Sequence, residues 1–147
     1  MGKFKKPLII VVLSIFLLQG CIFAVKRANE PPYEIRIGVP VYDAESNTVG
    51  WNFDRSEMVK TKHNINTILF SLIQARSAEP PQRSQAQADA VIHVHDPDEG
   101  RAWFFTVWIE EDSLLIYTET DYKVLNTTSY GYEDLKALLE THIRAYN

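Results

Sequence analysis

Cysteine is almost missing from this 147-residue chain, which has one, Cys21. A single thiol excludes an internal disulfide, so packing alone must hold the fold. Glycine is sparse too, and beyond residue 20 only Gly38, Gly50, Gly100 and Gly131 remain, far apart. No phosphate-cradling loop, nucleophile elbow or dinucleotide fingerprint can be assembled from them. Positive charge is short: 15 Lys and Arg face 19 Asp and Glu, a formal net charge of −4. An acidic surface repels a phosphate backbone, so nucleic acid is not an expected partner. Ser, His and Asp occur, but no local signature links them. The expectation is a protein without cofactor or catalytic centre.

Long apolar runs are confined to the N-terminus. Lys3, Lys5 and Lys6 precede an unbroken apolar stretch from Leu8 to Leu13, which resumes after Ser14 as Ile15-Phe16-Leu17-Leu18. A cationic start, a short apolar segment and a small residue at its end describe an export signal, too short for a comfortable spanning helix. Leu18-Gln19-Gly20-Cys21 resembles the lipobox of bacterial lipoproteins. The resemblance implies that Cys21 is lipidated, becomes the new N-terminus and tethers the rest to the membrane on its extracytoplasmic face. Lipidation would also consume the thiol and exclude thiol catalysis. Ile22 stands where an aspartate is associated with inner-membrane retention in Gram-negative cells, which would allow outer-membrane sorting there and would mean the outer face of the only membrane in a Gram-positive cell.

Removal of residues 1–20 takes away three lysines and no acid. The remaining 127 residues then carry 12 basic and 19 acidic side chains, a net charge of −7. That length suits one domain with a sizeable core. Cys21 to Pro32 reads as a tether ending in Ala28-Asn29-Glu30-Pro31-Pro32. Twelve extended residues span at most about 40 Å, which keeps the domain close to the membrane.

From residue 33 to 147 the pattern is that of a single domain. Glu34 to Val39 alternates as a half-buried strand, with Pro40 placing its end at a sheet edge. Thr48 to Phe53 is a returning strand around Trp51, and Met58-Val59 a short one. Ile65, Ile68, Leu69, Leu72, Ile73 and Arg76 recur at helical spacing behind an N-cap at Asn64. Ser77 to Ala88 reads as a long loop. Asp89–His95, Arg101–Glu110, Ser113–Glu119 and Tyr122–Asn126 follow at the short spacings of an antiparallel meander. Leu135, Leu138, Leu139, His142, Ile143 and Tyr146 form a closing helical stripe. The predicted fold is α+β, an antiparallel meander with two amphipathic helices packed on one face. Ile65-x-x-Ile68, Trp108-Ile109, Tyr117, Tyr122-x-Val124-Leu125 and Leu135-x-x-Leu138-Leu139 together resemble small lipoproteins of Bacillus-type Gram-positive bacteria, a family that implies fold and address but no activity.

Three groups are candidates for chemistry. His93 and His95, two apart on a strand, point to the same face and could share a metal ion with Glu99 or with Asp96 or Asp98 in the following turn. The string His93-x-His95-x-x-x-Glu99 is similar to the first metal motif of cupins, but Gln87 stands where that motif has glycine and no second motif follows. The bland alternative is two histidines on a solvated face. Glu110-Glu111-Asp112 falls where a hairpin must turn, so these acids diverge. Aromatic residues are the third group: Trp103 shares one face of its strand with Phe105, while Phe104 and Trp108 share the other. Trp103, Trp108 and Tyr117, with Trp51 and Tyr122 nearby, are candidates for a binding platform, unless the Ser77–Ala88 loop covers them. The function expected from the sequence is therefore a non-enzymatic, membrane-tethered binding domain of the cell envelope. Its partner would be an envelope protein, a peptide or a wall component, and the alternative is a metal-binding envelope protein using His93 and His95.

Overall fold

The computed structural model describes residues 33–147, so Cys21, the export segment and the tether lie outside the described residues. Eight strands and two helices follow in the order β1 (Glu34–Asp43), β2 (Thr48–Asn52), β3 (Met58–Val59), α1 (Lys62–Gln74), β4 (Arg76–Ser77), β5 (Ala90–Asp96), β6 (Arg101–Ile109), β7 (Ser113–Tyr117), β8 (Tyr122–Asn126) and α2 (Tyr132–Ile143). Single 3-10 turns stand at Gln85–Gln87 and Arg144–Tyr146. The class is α+β. Neither helix is long and apolar enough to cross a membrane. The described residues belong to one compact unit.

The sheet order is β2-β1-β5-β6-β7-β8-β4, with β3 on β1 as well, and every pairing is antiparallel. The meander expected from the spacing is present as β5 to β8. Ile35 pairs with Val59 on one side and with Val94 on the other, so β2 and β3 share one edge of β1, end to end. Between them the Ile37 N–H donates to Ser56 Oγ at 3.1 Å, which closes the gap that the two short strands leave.

Pro40 does not end β1. The strand runs through it to Asp43, paired with β2 alone beyond Gly38. Ile37 turns its N–H towards β3, so by alternation residue 40 faces the other edge, where β5 no longer reaches. A missing N–H costs nothing there.

One buried cluster joins Ile35 and Ile37 of β1, Ala90, Ile92 and Val94 of β5, Val107 of β6, Leu114 and Ile116 of β7 and Leu125 of β8 to Ile65 and Ile68 of α1 and Tyr132, Leu135 and Leu139 of α2. Its aliphatic side chains each lose their exposure to water almost completely, worth about 1.5–3 kcal/mol apiece before entropy is counted. Helix α1 starts three residues earlier than its stripe suggests. Thr61 is the N-cap, its side chain accepting from the Asn64 N–H at 3.3 Å, so Asn64 supplies the amide and not the cap.

The segment between β4 and β5 is pinned rather than loose. Arg83 donates to Asp89 Oδ2 and to Glu110 Oε1, both at 3.0 Å, and Asp89 Oδ2 accepts the Ile109 N–H at 2.7 Å. The two carboxylates hold the Arg83 guanidinium above its ordinary range, Asp89 first. Glu110 is thus a partner in a clamp, not a free acid of the turn.

Gly38 marks the tightest backbone approach. A Cβ there would overlap the Asn52 carbonyl oxygen and fall 2.7 Å from Phe53 Cδ1. Gly38→Ala is expected to destabilise the domain by about 1–3 kcal/mol, the usual range for overpacking. Urea unfolding of the variant against the parent checks it, and an unchanged midpoint would mean that the β1–β2 hairpin shifts freely.

Candidate functional site

The candidates read from the sequence fall in three places. His93 and His95 alternate away from Ile92 and Val94, as expected, but they face an aromatic layer and not open solvent. His93 stacks on Phe104, its cross-strand partner, at 4.7 Å between ring centroids, and Phe53 lies 5.8 Å away. Trp51 stacks on Phe104 at 6.3 Å and His95 on His93 at 6.4 Å. Four rings therefore stand in a row of nearly parallel planes across β2, β6 and β5, all half-buried.

Each end of the proposed metal set has another partner. His95 Nδ1 sits 3.0 Å from Glu34 Oε2, and Glu99 Oε2 pairs with Arg101 at 3.2 Å. Among the described residues no group of three or more His, Cys, Asp or Glu is placed to hold a metal ion. His93, His95 and Glu99 are not brought together. Adjacency in sequence misled here because β5 ends at Asp96 and the turn carries Glu99 towards β6.

The aromatic trio is divided as well. Trp103 packs against the helix-bearing core cluster. Trp108 lies on the other face and is fully buried, its indole Nε1–H donating to the Ser84 carbonyl at 3.1 Å. The Arg83 clamp holds that segment over it. Trp108 is therefore no exposed platform, and the covering loop is the reason. Tyr117 is half-buried, packs on Tyr122 at 4.8 Å and donates its hydroxyl to the Glu119 carbonyl at 2.7 Å. His142 is a boundary residue, its Nδ1 2.8 Å from the Leu138 carbonyl.

What the sequence did not point to is a groove on the outer side of α1. Ile73 was expected on the buried stripe, yet it is 78% exposed, with Tyr130 at 76% and Phe70 at 49%. Phe70 and Tyr130 meet edge to face at 5.8 Å. Together with Leu69, Thr67 and His63 they line a cavity of about 680 Å³, within the range that binds ligands. A smaller cavity of about 350 Å³ shares His63 and Thr67 with it and continues between the helices to Asp134 and Thr141.

Ser71, also on the lining, is fully buried and its hydroxyl has no hydrogen-bond partner. Gly131 covers it from the loop before α2. Gly131 has φ +82°, and a Cβ there would fall 2.8 Å from Ser71 Oγ. The residue must be glycine on both counts. An orphaned buried hydroxyl is costly, and such groups call for an explanation beyond stability.

Compared with protein-family models, curated proteins and solved structures, the chain matches none.

Two outcomes follow. Ser71→Ala should raise stability by about 1–2 kcal/mol, since it removes an unsatisfied polar atom, and Gly131→Ala should lower it by about as much; paired chemical-denaturation curves measure both. A loss of stability in Ser71→Ala would mean that the hydroxyl is bonded in the folded protein. The second outcome concerns pH. Burial first, then His95 and Arg36, hold His93 below the ordinary imidazole range, with Glu34 opposing. Below about pH 6.5 the unfolded chain takes up a proton that folded His93 resists. Stability therefore falls as pH drops through that value and levels off once folded His93 also protonates. His93→Phe should flatten the difference in unfolding free energy between about pH 7.5 and about pH 5, and an identical pH dependence would remove His93 as its source.

Proposed function

We propose that this chain is a membrane-tethered lipoprotein of the cell envelope whose folded domain is a non-enzymatic binding module. The observation that carries the reading is the groove under Phe70, Ile73 and Tyr130, an exposed apolar patch on a domain whose other large side chains are mostly covered. The Leu18–Cys21 motif supports lipid attachment at Cys21, and with it an extracytoplasmic address within about 40 Å of the membrane.

In this reading both helices, each amphipathic, cover one face of the sheet. The shared cluster of Ile65, Ile68, Leu135 and Leu139 with Ile35, Ile92 and Val107 supports it. Their outward sides then form the surface that meets a partner. The chain enters the domain beside the Glu34–His95 pair, while Tyr130 follows β8 where Asn126 pairs with Ser113, at the opposite end of the strands. Tyr130 is thus carried at the end away from the anchored terminus, while His63, just past β3, brings the other end of the groove back towards it.

Site-specific photocrosslinking in intact cells tests this. A benzophenone side chain at position 73 should give one discrete adduct that a probe at exposed Thr120, in the β7–β8 turn, does not. Tyr130→Ser should cut the yield by about tenfold, the cost of losing one buried aromatic contact. Equal labelling from both positions, or none from position 73, would contradict the groove as the binding surface.

A further inference from the structure

The two cavities on the α1–α2 side differ in character although they share two residues. One end is apolar, with Phe70, Ile73 and Tyr130. The other is polar and ends at Asp134 in the first turn of α2. No cation of the described residues pairs with Asp134. Lys136, two positions on, is drawn to Tyr132 instead, with Nζ 3.3 Å from its hydroxyl and 5.6 Å from its ring centroid, and Arg144 reaches Glu140 at 4.0 Å. Glu133 adds a second exposed carboxylate beside Asp134. These two acids occupy the helix N-terminus that would otherwise attract an anion, which disfavours phosphate or carboxylate ligands there.

We infer that the groove takes an extended peptide segment carrying an apolar side chain next to a basic one. The apolar side chain lies among Phe70, Ile73 and Tyr130, and the cation meets Asp134. The inference rests on the reading of this groove as the binding surface and adds the chemistry of its occupant. Charge complementarity selects the cation, since the acid at the polar end is unpaired and the domain as a whole is acidic. Two adjoining cavities that share His63 and Thr67 suit an extended chain better than a compact ligand. The buried Ser71 hydroxyl beneath Gly131, on the lining of the same groove, has no hydrogen-bond partner in the domain.

The test uses the full-length lipidated protein in neutral phosphatidylcholine nanodiscs, with empty discs as the blank. The probes are fluorescent capped hexapeptides of glycine and serine with a central Phe-Lys, Phe-Glu or Gly-Lys pair. Phe-Lys should bind about tenfold more tightly than either of the others. Asp134→Asn should erase the preference for Phe-Lys over Phe-Glu. Ile73→Ser should weaken both Phe-bearing peptides by about tenfold. Equal binding of Phe-Lys and Phe-Glu would overturn the charge assignment and leave the groove reading standing. Unchanged binding by Ile73→Ser would overturn the groove as well. No binding of Phe-Lys above empty discs overturns the inference, as does a dimer that Ile73→Ser dissolves, because a second copy would then fill the groove.

Discussion

Helix α1 has to carry the chain from one edge of the sheet to the other, and most of the molecule follows from that crossing. β3 lies beside β1 at one edge and β4 beside β8 at the far edge, six strand spacings apart. At roughly 4.8 Å per spacing the distance is about 29 Å. A helix of 13 residues spans only about 20 Å, so the crossing uses the whole helix and its flanking residues. In its early turns Ile65 and Ile68 are fully buried in the core cluster. The last turns reach the edge, where only two-residue β4 continues the sheet. The buried face of α1 runs through Ile65, Ile68 and Ser71, and Ile73, about 200° round the helix from Ser71, points away from the core. The exposed apolar groove is the consequence of that turn of the helix about its axis.

The sheet side that carries His93, Phe104 and Trp108 is covered by the β1–β2 hairpin and a loop. The β1–β2 hairpin and Phe53 lay Trp51 and Phe53 over Phe104 and His93. The Arg83 clamp lays the segment around Ser84 over Trp108. A buried aromatic with its N–H satisfied and a charged clamp at its rim suit a chain that has no disulfide to close its loops. The clamp is partly open to solvent, so its worth lies in fixing that loop more than in bulk stability. The outer side of α1, with Phe70 and Ile73, stays exposed.

Much of this fold was legible in the sequence because period and turn chemistry are local. The meander from Ala90 to Asn126 follows from alternating residues broken at Asp96–Gly100, Glu111-Asp112 and Thr120-Asp121, and the two faces of β6 were separated correctly. The site was legible only in part. Helical spacing put Ile73 on the stripe with Ile65 and Ile68, yet the helix is turned so that Ser71 faces inward with them and Ile73 faces out. Trp108 and Trp103 look equivalent in composition, and only the position of Ser84 and the helices decides that both are covered. Asn64 was expected as the N-cap, and Thr61 three residues earlier takes that place, a boundary shift that local rules do not resolve. His93 and Glu99 lie close in sequence, and a tight turn sent them to different partners. Ser71 gave no signal at all, because a serine inside a helix reads as neutral until its surroundings are known.

In the proposed reading the groove faces out of the cell and is covered by a partner. The lone native thiol, Cys21, lies in the lipidation motif, so introduced cysteines can be followed singly. Labelling of Ile73→Cys and of Thr120→Cys in intact cells with a membrane-impermeant maleimide measures both parts of the claim at once. The account predicts that Thr120→Cys labels readily while Ile73→Cys is protected in cells and becomes as reactive once the protein is purified. Equal labelling of the two in cells would contradict a covered groove, and no labelling of either until the cells are lysed would contradict the extracytoplasmic address.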